Sequence, residues 1–159
     1  MKQIFIDNQQ AMIEFSQKIS NEIIENFDNK NSIKTIALFG TLGVGKSFFA
    51  KHFINNLQEK KTEILSPTFN IVSSYNSKFG EIFHLDLYRL KNANELENID
   101  FFSIVNHNIT LIEWPEIAKD FLPKNYLSLT IETIFCEINE TDFNINSQRK
   151  ITLEHVTKL

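Results

Sequence analysis

The chain has 159 residues, 42% apolar and 12% aromatic, with fifteen Phe and a net charge of −4 at neutral pH. That length suits one domain with a substantial core, and an acidic balance without a long basic run excludes a broad electrostatic footprint for nucleic acid. A single cysteine, Cys136, excludes an internal disulfide framework and a multi-cysteine zinc site.

The opening residues Met1 to Asp7 are too short a stretch, and too polar afterwards, for a signal peptide. No stretch approaches the length of a membrane span, so a cytoplasmic protein with no membrane partner is expected. Asp7 or Asn8 is placed to cap a helix over about residues 9–27, with Met12, Phe15, Ile19 and Ile23 on one face. Residues 34–39 form an apolar run like a strand buried on both faces, and a helix is expected over about 46–58. Its Ala50, Phe53, Ile54 and Leu57 make the stripe. Phe69 to Tyr75 and Glu81 to Leu87 read as strands around a turn at residues 76–80. Residues 92–106 look weakly helical, Asn108 to Trp114 is an apolar strand ending in acid, and Pro115 opens a short helix through about Phe121. Tyr126 to Ile134 and Lys150 to Val156 alternate like half-buried strands on either side of an Asn-rich loop, and Cys136 reads as a buried structural thiol. No repeat, linker or boundary divides the chain. The expectation is a single α/β domain over residues 1–159.

Between the first apolar strand and its helix lies Gly40-Thr41-Leu42-Gly43-Val44-Gly45-Lys46-Ser47, which holds three of the chain's four glycines. It matches the phosphate-binding P-loop, G-x-x-x-x-G-K-[ST], in the strand–loop–helix context that pattern requires. Glycines can take the positive φ values that curl successive N–H groups into an anion nest, set here on a helix N-terminus. Lys46 then reaches the β- and γ-phosphates of ATP, and the Ser47 hydroxyl ligates Mg²⁺.

Hydrolysis also needs metal ligation and a positioned water. Glu113 ends an apolar strand, as a Walker B acid does, and could hold Mg²⁺ opposite Ser47; a solvated acid at a strand edge is the second reading, disfavoured by how apolar the strand is. In His84-Leu85-Asp86-Leu87-Tyr88-Arg89, alternation puts His84, Asp86 and Tyr88 on one face. Read on those residues alone, Asp86 either orients water and accepts its proton or pairs with Arg89, and the two readings stand level. Ser66-Pro67-Thr68 is a turn that could sense the γ-phosphate as switch segments do. His84 and His107 lack metal-like spacing and read as core or surface residues. Trp114 reads as packing, with stacking near the nucleotide as the second choice.

Taken in order, these segments resemble the bacterial TsaE (YjeE) family of small P-loop ATPases. The matching residues are Leu42 to Ser47, Ser66-Pro67-Thr68-Phe69 with Tyr75, His84-Leu85-Asp86-Leu87-Tyr88-Arg89-Leu90, Glu95-Leu96 and Ile112-Glu113-Trp114-Pro115-Glu116, over roughly residues 5–120. The resemblance implies a P-loop NTPase-like three-layer sandwich with a mixed, mostly parallel central sheet. It implies an accessory ATPase for threonylcarbamoyl modification of the adenosine beside the anticodon of ANN-decoding tRNAs. The partners would be TsaD and TsaB, with tRNA met only through that complex, and the cofactors ATP/ADP and Mg²⁺. It makes Thr41 to Phe48 the nucleotide loop, Lys46 and Asp86 the hydrolytic pair, Ser47 and Glu113 the Mg²⁺ residues, and Ser66, Pro67 and Thr68 a nucleotide-responsive switch. Thr41 stands where that family usually has Asp, Ser47 where Thr is commoner, and Phe48 where a second small hydroxyl residue is usual.

A small-molecule P-loop kinase shares this size, but such kinases bring arginines over the phosphates, and this chain has only Arg89 and Arg149. A GTPase is disfavoured by the lack of an N-K-x-D sequence and of a D-x-x-G after the switch region. A nucleotide-gated assembly module with negligible turnover is the rival of a different class.

Overall fold

The computed structural model describes residues 1–157 apart from 28, 30, 31, 68, 69 and 136–146. In chain order the elements are β1 (Lys2–Ile6), α1 (Gln9–Glu25), β2 (Thr35–Phe39), α2 (Lys46–Leu57), β3 (Val72–Ser77) and β4 (Gly80–Asp86). A 3₁₀ segment (Ala93–Ile99), α3 (Phe101–His107), β5 (Ile109–Glu113), a second 3₁₀ segment (Pro115–Phe121), β6 (Asn125–Phe135) and β7 (Ser147–Thr157) follow. The strands make one seven-stranded sheet in the order β1-β7-β6-β2-β5-β4-β3. Its central strands β6, β2, β5 and β4 run parallel. Antiparallel pairs close both sides, β7 and β1 on one and β3 on the other.

Side-chain alternation divides the core between the two faces of that sheet. Ile36 and Leu38 of β2 and Ile109 and Leu111 of β5 meet Met12, Phe15, Ile19 and Ile23 of α1 and Phe49, Phe53 and Ile54 of α2. Ala37, Leu85 and Ile112 point the other way, onto Phe101, Ile104 and Val105 of α3 and Leu96 and Ala118 of the 3₁₀ segments. The result is a mixed α/β three-layer sandwich, parallel at its centre, as the family resemblance implied. Phe15 and Phe49 join the two helices with ring centroids 5.8 Å apart, and Asn56 bridges them through Ser20 and Asn21.

Several boundaries move for local reasons. Asn8, not Asp7, caps α1, its side chain accepting from the Ala11 N–H at 2.9 Å. That helix stops at Glu25, where Asn26 turns its amide back onto the Glu22 carbonyl. The strand expected from Phe69 starts only at Val72, because Ile71 sits at φ +65° and its N–H and that of Asn70 bond back to the Pro67 carbonyl. Residues 92–106 split at Asp100, whose φ of +54° ends the first 3₁₀ segment before α3 begins. The helix from Pro115 is 3₁₀ rather than α. β1 was not expected at all; it pairs with β7, from the opposite end of the chain. The Asn-rich segment and Cys136 lie outside the described residues. No helix among the described residues is long and apolar enough to cross a membrane.

β5 and β6 flank β2 on opposite sides. The chain therefore leaves the carboxyl end of β2 at a switch in strand order, where open α/β sheets form a crevice.

Candidate functional site

The glycine loop fills that crevice. Gly40, Gly43 and Gly45 adopt φ of +134°, +75° and +114°, values that L side chains rarely reach. At Gly40 space matters as well, since a Cβ would drive into the Ile131 carbonyl oxygen of β6. Gly45 precedes the first turn of α2 and supplies no side-chain cap, so the amides there remain suited to an anion.

Lys46 is 4% exposed. Its Nζ donates to the carbonyls of Gly40 at 2.6 Å and Thr41 at 3.0 Å and lies 3.6 Å over the Trp114 ring. Burial pushes this ammonium below its usual 10.5, and the nearby carboxylates of Glu113, Glu116 and Asp86 oppose the shift. The next residue, Ser47, donates from Oγ to Glu113 Oε2 at 2.8 Å.

Glu113 and Asp86 are register partners on adjacent parallel strands, so both acids stand at strand ends on one sheet face. Both are buried. Asp86 Oδ1 accepts the Tyr88 N–H at 3.1 Å, and the Asp86 N–H bonds the Ile71 carbonyl at 2.9 Å, tying this strand end to the segment after Pro67. A cavity of about 290 Å³ opens over these groups, lined by Leu42, Gly43, Gly45 to Phe48, Asp86, Tyr88, Glu113 and Trp114. A second, of about 460 Å³, lies against Gly43 to Gly45 and Phe48 and is walled by the β1–α1 junction, Met12 and Arg149. Arg149 Nε donates to the Val44 carbonyl at 2.9 Å, so β7 braces the loop from behind.

Of the residues expected in the site, Leu42, Gly43, Gly45, Lys46, Ser47, Phe48, Asp86 and Glu113 line the smaller cavity. Val44 is buried beneath the loop and lines the larger cavity, and Thr41 contributes its carbonyl to Lys46. Ser66 and Pro67 belong to the segment before β3 and do not line the smaller cavity, and Thr68 lies outside the described residues. Glu113 is no solvated edge acid, being 2% exposed. Tyr88 does not continue the face of His84 and Asp86, because β4 ends at Asp86; it is 58% exposed and packs on Trp114, ring centroids 4.9 Å apart. Trp114, at φ +56°, packs its ring against the Lys46 ammonium and lines the smaller cavity.

The sequence makes His84 a core or surface residue. It is buried, and its Nε2 lies 2.8 Å from Glu113 Oε1. The alternation that placed it beside Asp86 was readable; the register of β4 on β5 that brings it to Glu113 was not. The oxygens of Ser47 and Glu113, with Asp86 alongside, are hard donors that fit Mg²⁺. Among the described residues no group of three or more His, Cys, Asp or Glu could hold a metal ion.

A sequence profile of the family described as "Threonylcarbamoyl adenosine biosynthesis protein TsaE" matches residues 6–140. The chain belongs to the TsaE family. It is 38% identical over 99 residues to the tRNA threonylcarbamoyladenosine biosynthesis protein TsaE of Rickettsia bellii, covering 62% of this chain and 69% of that one. Against TsaE of Rickettsia prowazekii it is 34% identical over 113 residues, covering 68% and 78%. Against TsaE of Bacillus subtilis it is 29% identical over 114 residues, covering 72% and 71%. The fold is similar to the crystal structure of Bacillus subtilis YdiB, with a TM-score of 0.64 over 99% of this chain and 86% of that one. At 21% identity that likeness concerns the fold. The TsaE profile stops before β7, whereas the structural likeness takes in nearly the whole chain, β7 included.

Proposed function

We propose that the chain binds ATP with Mg²⁺ and hydrolyses it to ADP and phosphate, as the accessory subunit that serves TsaD and TsaB in threonylcarbamoyl modification of ANN-decoding tRNAs in the cytoplasm. The observation that carries this reading is the convergence of Lys46, Ser47, Asp86 and Glu113 on one cavity under a glycine loop. Membership of a family described by threonylcarbamoyl adenosine biosynthesis supplies the pathway.

The loop amides and Lys46 bind the phosphates, and the larger cavity beside Val44 and Phe48 has the volume for a nucleoside. Ser47 and Glu113 would hold Mg²⁺, which when bound neutralises charge on the phosphate oxygens. Asp86 orients a water and takes its proton as the water oxygen bonds to the γ-phosphorus. The bond from that phosphorus to the β–γ bridging oxygen breaks, and ADP leaves with the electron pair. Neither arginine lines the smaller cavity, so charge stabilisation in trans, and slow turnover by the isolated chain, are expected.

Phosphate release measured with and without the TsaD–TsaB pair tests this reading. Stimulation by the pair, lost in Asp86→Asn, is the predicted result. Brisk partner-independent turnover contradicts the slow isolated state, and stimulation intact in Asp86→Asn removes the catalytic assignment. Pair binding that depends on ATP, with no phosphate released, would favour the nucleotide-gated assembly module instead.

A further inference from the structure

We propose that His84 is a positioning residue, a fixed donor that sets the plane of the Glu113 carboxylate while Ser47 is free to turn to a ligand; this rests on the reading of Glu113 as the Mg²⁺ acid.

Glu113 is held at both oxygens by different neighbours, Oε1 by His84 Nε2 and Oε2 by Ser47 Oγ, each at 2.8 Å. The two anchors differ in kind. Ser47 stands on the first turn of α2, and its hydroxyl turns about a single bond. His84 stands in β4, 1% exposed, two residues from Asp86 on the same sheet face, and its ring reaches across to β5.

The far side of the ring fixes which way the bond runs. Nδ1 is buried and has no hydrogen-bond partner among the described residues. A proton there would be a buried donor lacking an acceptor, and a bare Nε2 would set its lone pair against a carboxylate oxygen. A proton on Nε2 avoids both, leaving Nδ1 with only its lone pair. His84 then donates to Oε1, and the carboxylate keeps one anchor when the Ser47 hydroxyl leaves. Partners that orient a metal ligand in this way typically alter metal affinity by about 10–100-fold when removed.

The test uses the full chain, with His84→Leu to remove the donor and His84→Gln to keep an N–H of similar reach. ADP affinity is measured by calorimetry across a Mg²⁺ series and again in EDTA. His84→Leu should need at least about tenfold more Mg²⁺ for half of the affinity gain, and His84→Gln should recover most of that loss. Affinity in EDTA should be equal in all three, which a merely structural defect would not allow. Ring-nitrogen NMR of the metal-free wild type should place the proton on Nε2, an outcome independent of whether the Leu variant folds. A Mg²⁺ requirement unchanged in His84→Leu, or a proton on Nδ1, overturns the proposal. Wild-type ADP affinity indifferent to Mg²⁺ overturns the metal reading, and this proposal with it.

Discussion

At the residue scale, the glycine loop separates two costs that the sequence pattern presents as one. Gly40→Ala meets both a positive φ and the Ile131 carbonyl, and should lose at least about 2 kcal/mol of stability. Gly43→Ala also meets a positive φ, but one close to the left-handed well, with open space around its Cβ, and should lose only about 1 kcal/mol. Urea unfolding of the two variants distinguishes them, and equal losses would mean that the β6 contact does not matter. Lys46 carries a pH signature. Its folded value lies below 10.5 through burial, so the unfolded chain holds this proton more tightly and the charge opposes folding. The opposition is complete below the lowered folded value and lifts as pH rises from there to 10.5. Wild type should therefore gain stability relative to Lys46→Met on going from neutral to alkaline pH; a constant difference in unfolding midpoint would contradict the burial. The glycine pattern itself, Lys46 and Ser47 were legible because a P-loop is a local motif. His84 was not, since its meaning lies in a partner on another strand.

At the scale of elements, what was legible followed from short-range periodicity and capping. The stripes of α1 and α2 and the apolar runs of β2 and β5 lie where the pattern put them. The start of β3 and the split within residues 92–106 are governed by single residues at positive φ, Ile71 and Asp100; Asp is enriched in that conformation, whereas no propensity marks Ile71 in advance. β1 was missed because five residues at an edge are strand only by virtue of β7. Asn8 offers a clean test, since its side chain caps the helix that walls the larger cavity. Asn8→Ala should cost about 1 kcal/mol, read as a fall in the thermal midpoint. An unchanged midpoint would show that the β1–α1 junction holds the helix start without the cap.

At the scale of the whole molecule, the site is assembled from the carboxyl ends of β2, β4 and β5 and braced by Arg149 of β7. An α/β class and a central P-loop strand could be read from alternation of elements. The strand order, which places β4 beside β5 and so Asp86 beside Glu113, could not, because pairing between distant segments leaves no local trace. The same geometry brings Lys46, Ser47, Glu113 and Asp86 together as one unit under the loop. Nucleotide binding at this unit underlies every role proposed for it. Calorimetric titration of the full chain with ATP and Mg²⁺, beside Lys46→Ala, tests it most directly. Saturable one-site binding by the wild type, weakened at least about tenfold by the substitution, is predicted from the loss of charge-assisted phosphate bonds. Equal affinity in the two proteins, or no binding by the wild type, would contradict it.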